Sequence, residues 1–282
     1  MKPETPLLTH FIRNNDIVST CDFIPERMNA GKVIYEVVRV IAGVPLFYIE
    51  HIERLHSSLV SIGDELPVSK KSLALRIRAL IETNKLSDGN IRFQFSFDEA
   101  GQSTFIAWVS PFYYPGKELY QTGASLASIV AKRKNPNIKI YNPELKNDIS
   151  TLIRKNNNYE ILLVNNEGLV TEGSRSNIFF VKESKVFTPT TSSVLPGVTR
   201  SKIFEIANDT GINCKETNIS LNSIHRFDGA FITGTSPKVL PVKNINKVDF
   251  DPHNTLINRL IHEYDSLVDD DLIKFSWEPL IK

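Results

Sequence analysis

The stretch Glu172-Gly-Ser-Arg-Ser-Asn-Ile-Phe-Phe180 constrains this chain more than any other. An acidic side chain meets a run of small residues, and the run empties into an apolar strand. Two glycine–threonine turns follow, Leu195-Pro-Gly-Val-Thr-Arg200 and Thr233-Gly-Thr-Ser236. Turns of this composition present backbone N–H groups and hydroxyls to an anion, and a helix that opens at such a turn adds partial positive charge. With the acid, they make one side of a site for a phosphate and a ring.

The rest of the chain reads as a frame around that site. At 282 residues with 41 % apolar content, it is long enough for one large or two medium cores, and two domains are expected. The first, residues 1–115, carries hairpins around 14–16, 42–43 and 99–102, the second with arms 32–41 and 44–49. It also carries helices from about residue 50, with Ile52, Leu55 and Leu59 inward, and from 69 to 84. Pro111-Phe-Tyr-Tyr-Pro-Gly116 interrupts the strand pattern and reads as the linker. The second domain, residues 116–282, alternates strands (124–130, 159–164, 169–171, 177–181, 185–188, 214–217, 229–233, 238–242) with helices (143–155, 199–211, 253–267). In the last helix Leu256, Leu260 and Ile261 are expected inward, and Asp269-Asp-Asp271 reads as a solvent-facing cap or tail. The fold class is α/β in the broad sense, more strictly α+β.

A formal charge of +1 exerts no bulk pull toward nucleic acid or an anionic membrane, so a small-molecule partner is expected. Cys21 and Cys214 match no zinc or disulfide framework and read as buried, reduced thiols; no metal is expected. The first residues lack the apolar core of a signal peptide, and no stretch approaches the ~18–20 apolar residues of a membrane span, which makes the cytoplasm the expected location.

Glu172, Ser174, Asn177, Ile178, Phe179, Thr188, Leu195, Gly197, Val198, Thr199 and Arg200 together reproduce a family pattern. In it the sequence resembles the class IV (fold-type IV) pyridoxal-phosphate enzymes. The resemblance implies a two-domain fold with a smaller N-terminal α+β domain and a larger, barrel-like C-terminal domain that binds pyridoxal 5'-phosphate. It implies that Glu172 pairs with the protonated ring nitrogen, which lets the ring accept electrons. Leu195 lies against the ring, Val198, Thr199 and Thr235 hold the phosphate, and Arg54 of His51-Ile-Glu-Arg54-Leu55 completes the cradle. His51 reads as a structural partner or a surface residue.

The cofactor also needs a lysine. Lys132, Lys134, Lys139 and Lys146 all lie near the right place. Relatives carry it in a Lys-x-x-Asn segment a little over thirty positions before the glutamate, and Lys139-Ile-Tyr-Asn142 matches, 33 positions before Glu172. Lys139 is therefore the expected catalytic residue, its basicity tuned by Arg54 or Arg175. The Lys132-Arg-Lys run reads as a solvated face. One departure stands out: relatives follow this segment with a tyrosine for the ring's phenolic oxygen, whereas Pro143 follows Asn142 here.

Tyr35, Arg39, Arg92, Thr235 and Ser236 are the substrate-side candidates. D-amino-acid enzymes of the family place an arginine and a histidine just after the strand at 91–97, where this chain reads Phe97-Asp-Glu-Ala-Gly. Branched-chain enzymes place an arginine in a Tyr-x-Arg segment on that strand; Arg92 is present here, with Asn90 in the tyrosine's place. The expectation is an L-amino-acid, branched-chain-like transaminase acting on a 2-oxo acid, as a homodimer. The alternatives are an aminodeoxychorismate lyase, a D-amino-acid aminotransferase, and a non-catalytic binding protein of the same fold.

Overall fold

The computed structural model describes residues 5–25, 31–131 and 133–282. The expectations that touch residues 1–4 and Lys132 lie outside that range. The chain divides into two compact units: residues 1–113, 138–141 and 268–282 form the first, and 114–137 with 142–267 form the second.

Among the described residues, the first unit holds a six-stranded sheet in the order β2-β1-β6-β5-β3-β4. The strands are β1 (His10–Arg13), β2 (Asp16–Ser19), β3 (Lys32–Ile41), β4 (Val44–Pro45), β5 (Gly89–Phe97) and β6 (Ser103–Ser110). Its centre is built on strict alternation. Ile91, Phe93 and Phe95 of β5 stand opposite Val38, Glu36 and Ile34 of β3 and face helices α1 (Tyr48–Val60) and α2 (Lys70–Asn84). Ile52, Leu55 and Leu59 of α1 and Leu73, Ile77 and Leu80 of α2 seal that core. Asn90, Arg92, Gln94 and Ser96 fill the other face of β5 and are all buried.

The expected 44–49 strand is much shorter. β4 ends at Pro45, which has no N–H to give to a ladder, and Phe47 turns into the left-handed region at φ 49°. α1 then begins at Tyr48, and Phe47 N–H donates to Asp271 Oδ2 at 2.7 Å.

The second unit carries a ten-stranded mixed sheet, ordered β12-β11-β10-β14-β15-β7-β8-β9-β13 with β16 on β15. In chain order it comprises α3 (Lys117–Thr122), β7 (Ala124–Val130), α4 (Pro143–Asn156), β8 (Glu160–Val164), β9 (Leu169–Gly173), β10 (Asn177–Lys182), β11 (Lys185–Thr188), α5 (Val198–Thr210), β12 (Asn213–Glu216), β13 (Ile219–Ser220), β14 (Gly229–Gly234), β15 (Lys238–Ile245), β16 (Val248–Asp249) and α6 (Thr255–Lys274). Side chains from near both ends of the strand order, Ile219 of β13 at one end and Phe187 of β11 next to the other, join one cluster with Phe180, Leu126, Leu162, Ile232 and Leu240. A flat sheet would keep those ends apart, so the sheet curls around its core. On the outer face of β10 and β14, Phe179 and Phe231 stack in parallel, 4.9 Å apart, beneath Phe204 of α5.

Two expectations for the C-terminal helix are corrected. α6 runs on to Lys274, the residues from Val268 belonging to the first unit, and its buried stripe is Ile257, Leu260, Tyr264 and Val268, one residue out of phase with Leu256 and Ile261. The acidic run is helical rather than a tail, because Asp271 takes the Phe47 N–H that the left-handed turn leaves over. The cysteines also differ from expectation. Both are unpaired, but Cys21 is exposed; Cys214 is half-buried, and burial, outweighing the nearby Arg200 charge, pushes its thiol up to about 12.

Phe231→Ala removes one ring of a fully buried stack and is expected to destabilise the protein by about 3–5 kcal/mol. A lowered urea midpoint at unchanged m-value reads this out.

Candidate active site

In the first unit the expected lysine is placed by backbone pairing. Residues 138–141 run along the free edge of β3: Tyr35 N–H donates to Lys139 O (3.1 Å) and Tyr141 N–H to Val33 O (3.0 Å), around an antiparallel bridge between Ile34 and Ile140. Strand alternation sends Ile138 and Ile140 into the helix-covered core, and Lys139 and Tyr141 to the face of Tyr35. Lys139 Nζ lies 5.1 Å from the Tyr35 ring centroid.

Arg92 occupies the centre of that same face. Its guanidinium carbon stands 4.5 Å from the Tyr35 ring, 4.5 Å from Tyr141 and 5.0 Å from Trp108. Nε donates to Gln94 Oε1 at 3.0 Å, and Gln94 Nε2 donates onward to Ser96 Oγ. A cation stacked among ring faces keeps its charge while giving up water. Two expected substrate-side residues, Tyr35 and Arg92, therefore meet Lys139 on one surface. Arg39 lies further along it, opposite Asn90.

Arg54 sits on the helix-covered side. Glu36, an acidic residue among the apolar neighbours of that face, receives Arg54 Nε (2.7 Å) and Nη2 (2.6 Å) as a two-point fork and His51 Nδ1 at 2.8 Å. Burial alone would push the Glu36 carboxyl up, but the Arg54 charge and fork and the His51 hydrogen bond outweigh it and hold the group well below the usual carboxylate range. His51 is held below its ordinary value, first by burial, against the raising pull of Glu36 and with the Arg54 and Lys139 charges adding to it. It is therefore neutral near pH 7, with its proton on Nδ1 facing Glu36. His51 is the structural partner of the two sequence readings, not the surface residue.

In the second unit, Glu172 at the end of β9 is 3 % exposed. Its Oε1 accepts from Arg133 Nη1 (2.9 Å) and its Oε2 from Leu195 N–H (3.0 Å). Asn177 Nδ2 donates to Leu195 O at 2.9 Å, so the backbone of Leu195 is gripped at both ends. The turn comes so close that a Cβ on Gly197 would lie 2.1 Å from Asn177 Oδ1. α5 then opens at Val198 with no side-chain cap, and the N–H groups of a helix's first turn have no intrahelical partner. Asn177 pairs with Thr233, so both side chains share the face that α5 covers, and Gly234 follows at once with Thr235 and Ser236. The buried hydroxyls of Ser176 and Thr233 have no hydrogen-bond partner among the described residues.

Other motif positions are structural. Thr188 Oγ1 donates to Ile178 O (2.8 Å), and Arg200 Nη2 to Pro189 O and Glu216. Thr199 Oγ1 lies 3.4 Å from Tyr264 OH. Asn142 caps α4 by accepting from Leu145 N–H, with Pro143 in the first turn where no N–H is required. The Lys-x-x-Asn spacing is thus a strand residue followed by a helix cap. Arg175 Nη2 reaches Tyr159 O.

The charged run at 132–134 is corrected at Arg133, which is bound to Glu172 rather than solvated. Sequence reasoning also missed Glu36 and Glu160. The signal for both was the same, a lone acid within an apolar strand.

These features are those of a known class. The chain belongs to the amino-transferase class IV family, whose model matches residues 33–245. It is similar to the D-alanine aminotransferase of Bacillus licheniformis, 28 % identical over 226 residues that cover 77 % of this chain and 80 % of that protein. It is also similar to the branched-chain-amino-acid aminotransferase of Pseudomonas aeruginosa, 24 % identical, with 94 % and 93 % covered. The fold matches the branched-chain amino acid aminotransferase from Escherichia coli, at a TM-score of 0.79 and 21 % identity over 93 % of this chain and 94 % of that one. The chain is a class IV aminotransferase acting on small molecules. Among the described residues no helix is long and apolar enough to cross a membrane, and no group of three or more His, Cys, Asp or Glu is arranged to hold a metal ion.

Glu36 and His51 both have lowered values in the folded chain, so the unfolded chain binds more protons in acid and stability is lost as pH falls. In thermal melts, the His51 component is expected to be fully present above its unfolded value of 6.5 and to fade below it, with the Glu36 component following below 4.5. His51→Gln should flatten the upper part of this dependence and leave the lower part.

Proposed function

We propose that this chain is a pyridoxal 5'-phosphate-dependent transaminase that moves the amino group of an L-amino acid of the branched-chain kind to a 2-oxo acid. The residues fit the cofactor. An uncapped helix start, the glycine–threonine turn at 233–236 and two unpartnered buried hydroxyls suit a phosphate, and a buried carboxylate suits a pyridinium nitrogen. Val198, Thr199 and Thr235 would hold the phosphate with Arg54, Leu195 would lie on the ring, and Glu172 would meet its nitrogen. Bound pyridoxal phosphate supplies the electron sink for the carbanion left at the substrate Cα.

Lys139 would be the residue that holds the cofactor through its side-chain amine, and the same amine, once free, would take the proton from the substrate Cα. An ammonium of intrinsic pKa ~10.4 must lose a proton before it can act in this way. Arg92, with Tyr35 beside it, receives the substrate carboxylate, and Thr235 and Ser236 provide further donors. The observation that carries the L-specific reading is the placement of Arg92 and Lys139 against the same Tyr35 ring. The segment after β5 supports it too: Asp98 closes an exposed turn onto Ala100 and Gln102, with no arginine–histidine pair. The reading includes a homodimer and a cytoplasmic location.

Purified protein loaded with pyridoxal phosphate is expected to bleach its cofactor band with L-leucine, L-valine or L-isoleucine and to recover it on addition of 2-oxoglutarate. Bleaching by D-alanine alone would overturn the enantiomer assignment, and absence of recovery with any 2-oxo acid would point to elimination. Lys139→Ala should abolish turnover. After borohydride reduction, peptide mapping should find the label on position 139 in the wild type.

A further inference from the structure

Glu160 opens an apolar strand, is 1 % exposed, and takes no part in the chemistry above. β8 and β9 pair until Gly173, and the ladder then runs out. Ser174 N–H still reaches Ile161 O at 2.8 Å, but the next amide, Arg175 N–H, has no strand carbonyl to meet. The Glu160 side chain replaces it: Oε1 accepts from Arg175 N–H and from Ser174 Oγ. The fit is close, since a Cβ on Gly173 would lie 2.7 Å from Glu160 Oε1 and 2.2 Å from Ser176 Oγ. The two donors that meet it among the described residues are a backbone amide and a hydroxyl. The turn it holds joins the two ends of the second-unit site, because Glu172 precedes Gly173 directly and Arg175 O lies 3.3 Å from where a Cβ on Gly234 would stand.

We propose that Glu160 is a positioning residue: its carboxyl oxygen completes the turn at 173–176 and so aims the Glu172 carboxylate at the cofactor's ring nitrogen. This rests on the role given to Glu172 above. Without the Arg175 and Ser174 bonds the turn loses the acceptor that closes it, and Glu172 stands directly before the glycine from which that turn springs.

The test is titration of apoprotein with pyridoxal phosphate, followed by tryptophan fluorescence and by the absorption maximum of the bound cofactor. Losing a buried acceptor from two donors is expected to raise the Kd of Glu160→Ala about ten-fold or more and to displace its absorption maximum. Glu160→Gln, which keeps an oxygen for the Arg175 N–H, should return the Kd to within about three-fold of wild type and restore the maximum. Ser174→Ala removes one donor only and should raise the Kd about two- to three-fold without loss of folding, which keeps the test open should Glu160→Ala not fold. Unchanged affinity and absorption in a folded Glu160→Ala would overturn the proposal. So would a Gln variant as impaired as the Ala variant, or an unaffected Ser174→Ala beside an unfolded Glu160→Ala. Glu172→Ala separates the two ideas: if it leaves the absorption maximum of the bound cofactor unchanged, the role of Glu172 fails, whatever Glu160 does.

Discussion

Two backbone hydrogen bonds, from Tyr35 to Lys139 and from Tyr141 to Val33, decide which way the side chain of Lys139 points. A strand that slipped by one residue would turn Lys139 into the core and bring isoleucines to the open face. What forbids the slip is hydrophobic. Ile138 and Ile140 pack with Ile34 and the helix residues, and each buried isoleucine contributes about 1.5–3 kcal/mol. A slip would forfeit both contributions and bury an ammonium as well. The direction of the Lys139 side chain is thus held in register by its apolar neighbours.

The buried acids show three solutions to one electrostatic problem. Among the described residues Glu36 meets a guanidinium fork and an imidazole, Glu172 a guanidinium and an amide, and Glu160 an amide and a hydroxyl. At Glu36 the attraction to Arg54 and the hydrogen bonds outweigh desolvation, which is why that group stays far below the usual carboxylate range despite full burial. That pair also fixes Arg54: with Nε and Nη2 committed to Glu36, the plane of its guanidinium is set. Preorganisation of this kind spares a ligand the entropy of ordering a long side chain.

Much of the frame was legible because it follows local rules. The period-two pattern of β5, the apolar stripe of α1, and the acid-to-turn-to-strand stretch at 172–180 each report a face or an end directly. What escaped depended on partners distant in sequence. Arg133 looked like part of a solvated charge run because its partner is 39 residues away. The early start of α1 at Tyr48 answers to Asp271 across 224 residues. Asn142 was legible as a motif letter but not as a helix cap, since the letter alone does not say that its oxygen is turned back to Leu145. The phase error in α6 has a simpler origin. Leu256 and Ile261 are as apolar as the residues that are buried, and composition could not choose between two stripes one position apart.

The polar face of the small sheet is held by the same kind of support. Asn90, Arg92, Gln94 and Ser96 stand on one side of a strand whose other side is isoleucine and phenylalanine, so the sheet keeps a buried polar column without weakening its core. Arg92 is fixed there twice, by rings that stack on its faces and by Gln94, which takes its Nε–H. A guanidinium fixed in its plane can discriminate among carboxylates by direction as well as by charge, since a two-point match tolerates little rotation. If Arg92 receives the substrate carboxylate as proposed, turning that carboxylate to the opposite side of the substrate would lose the match. Handedness would then be set by a few side chains on one strand, each held in place by its neighbours there.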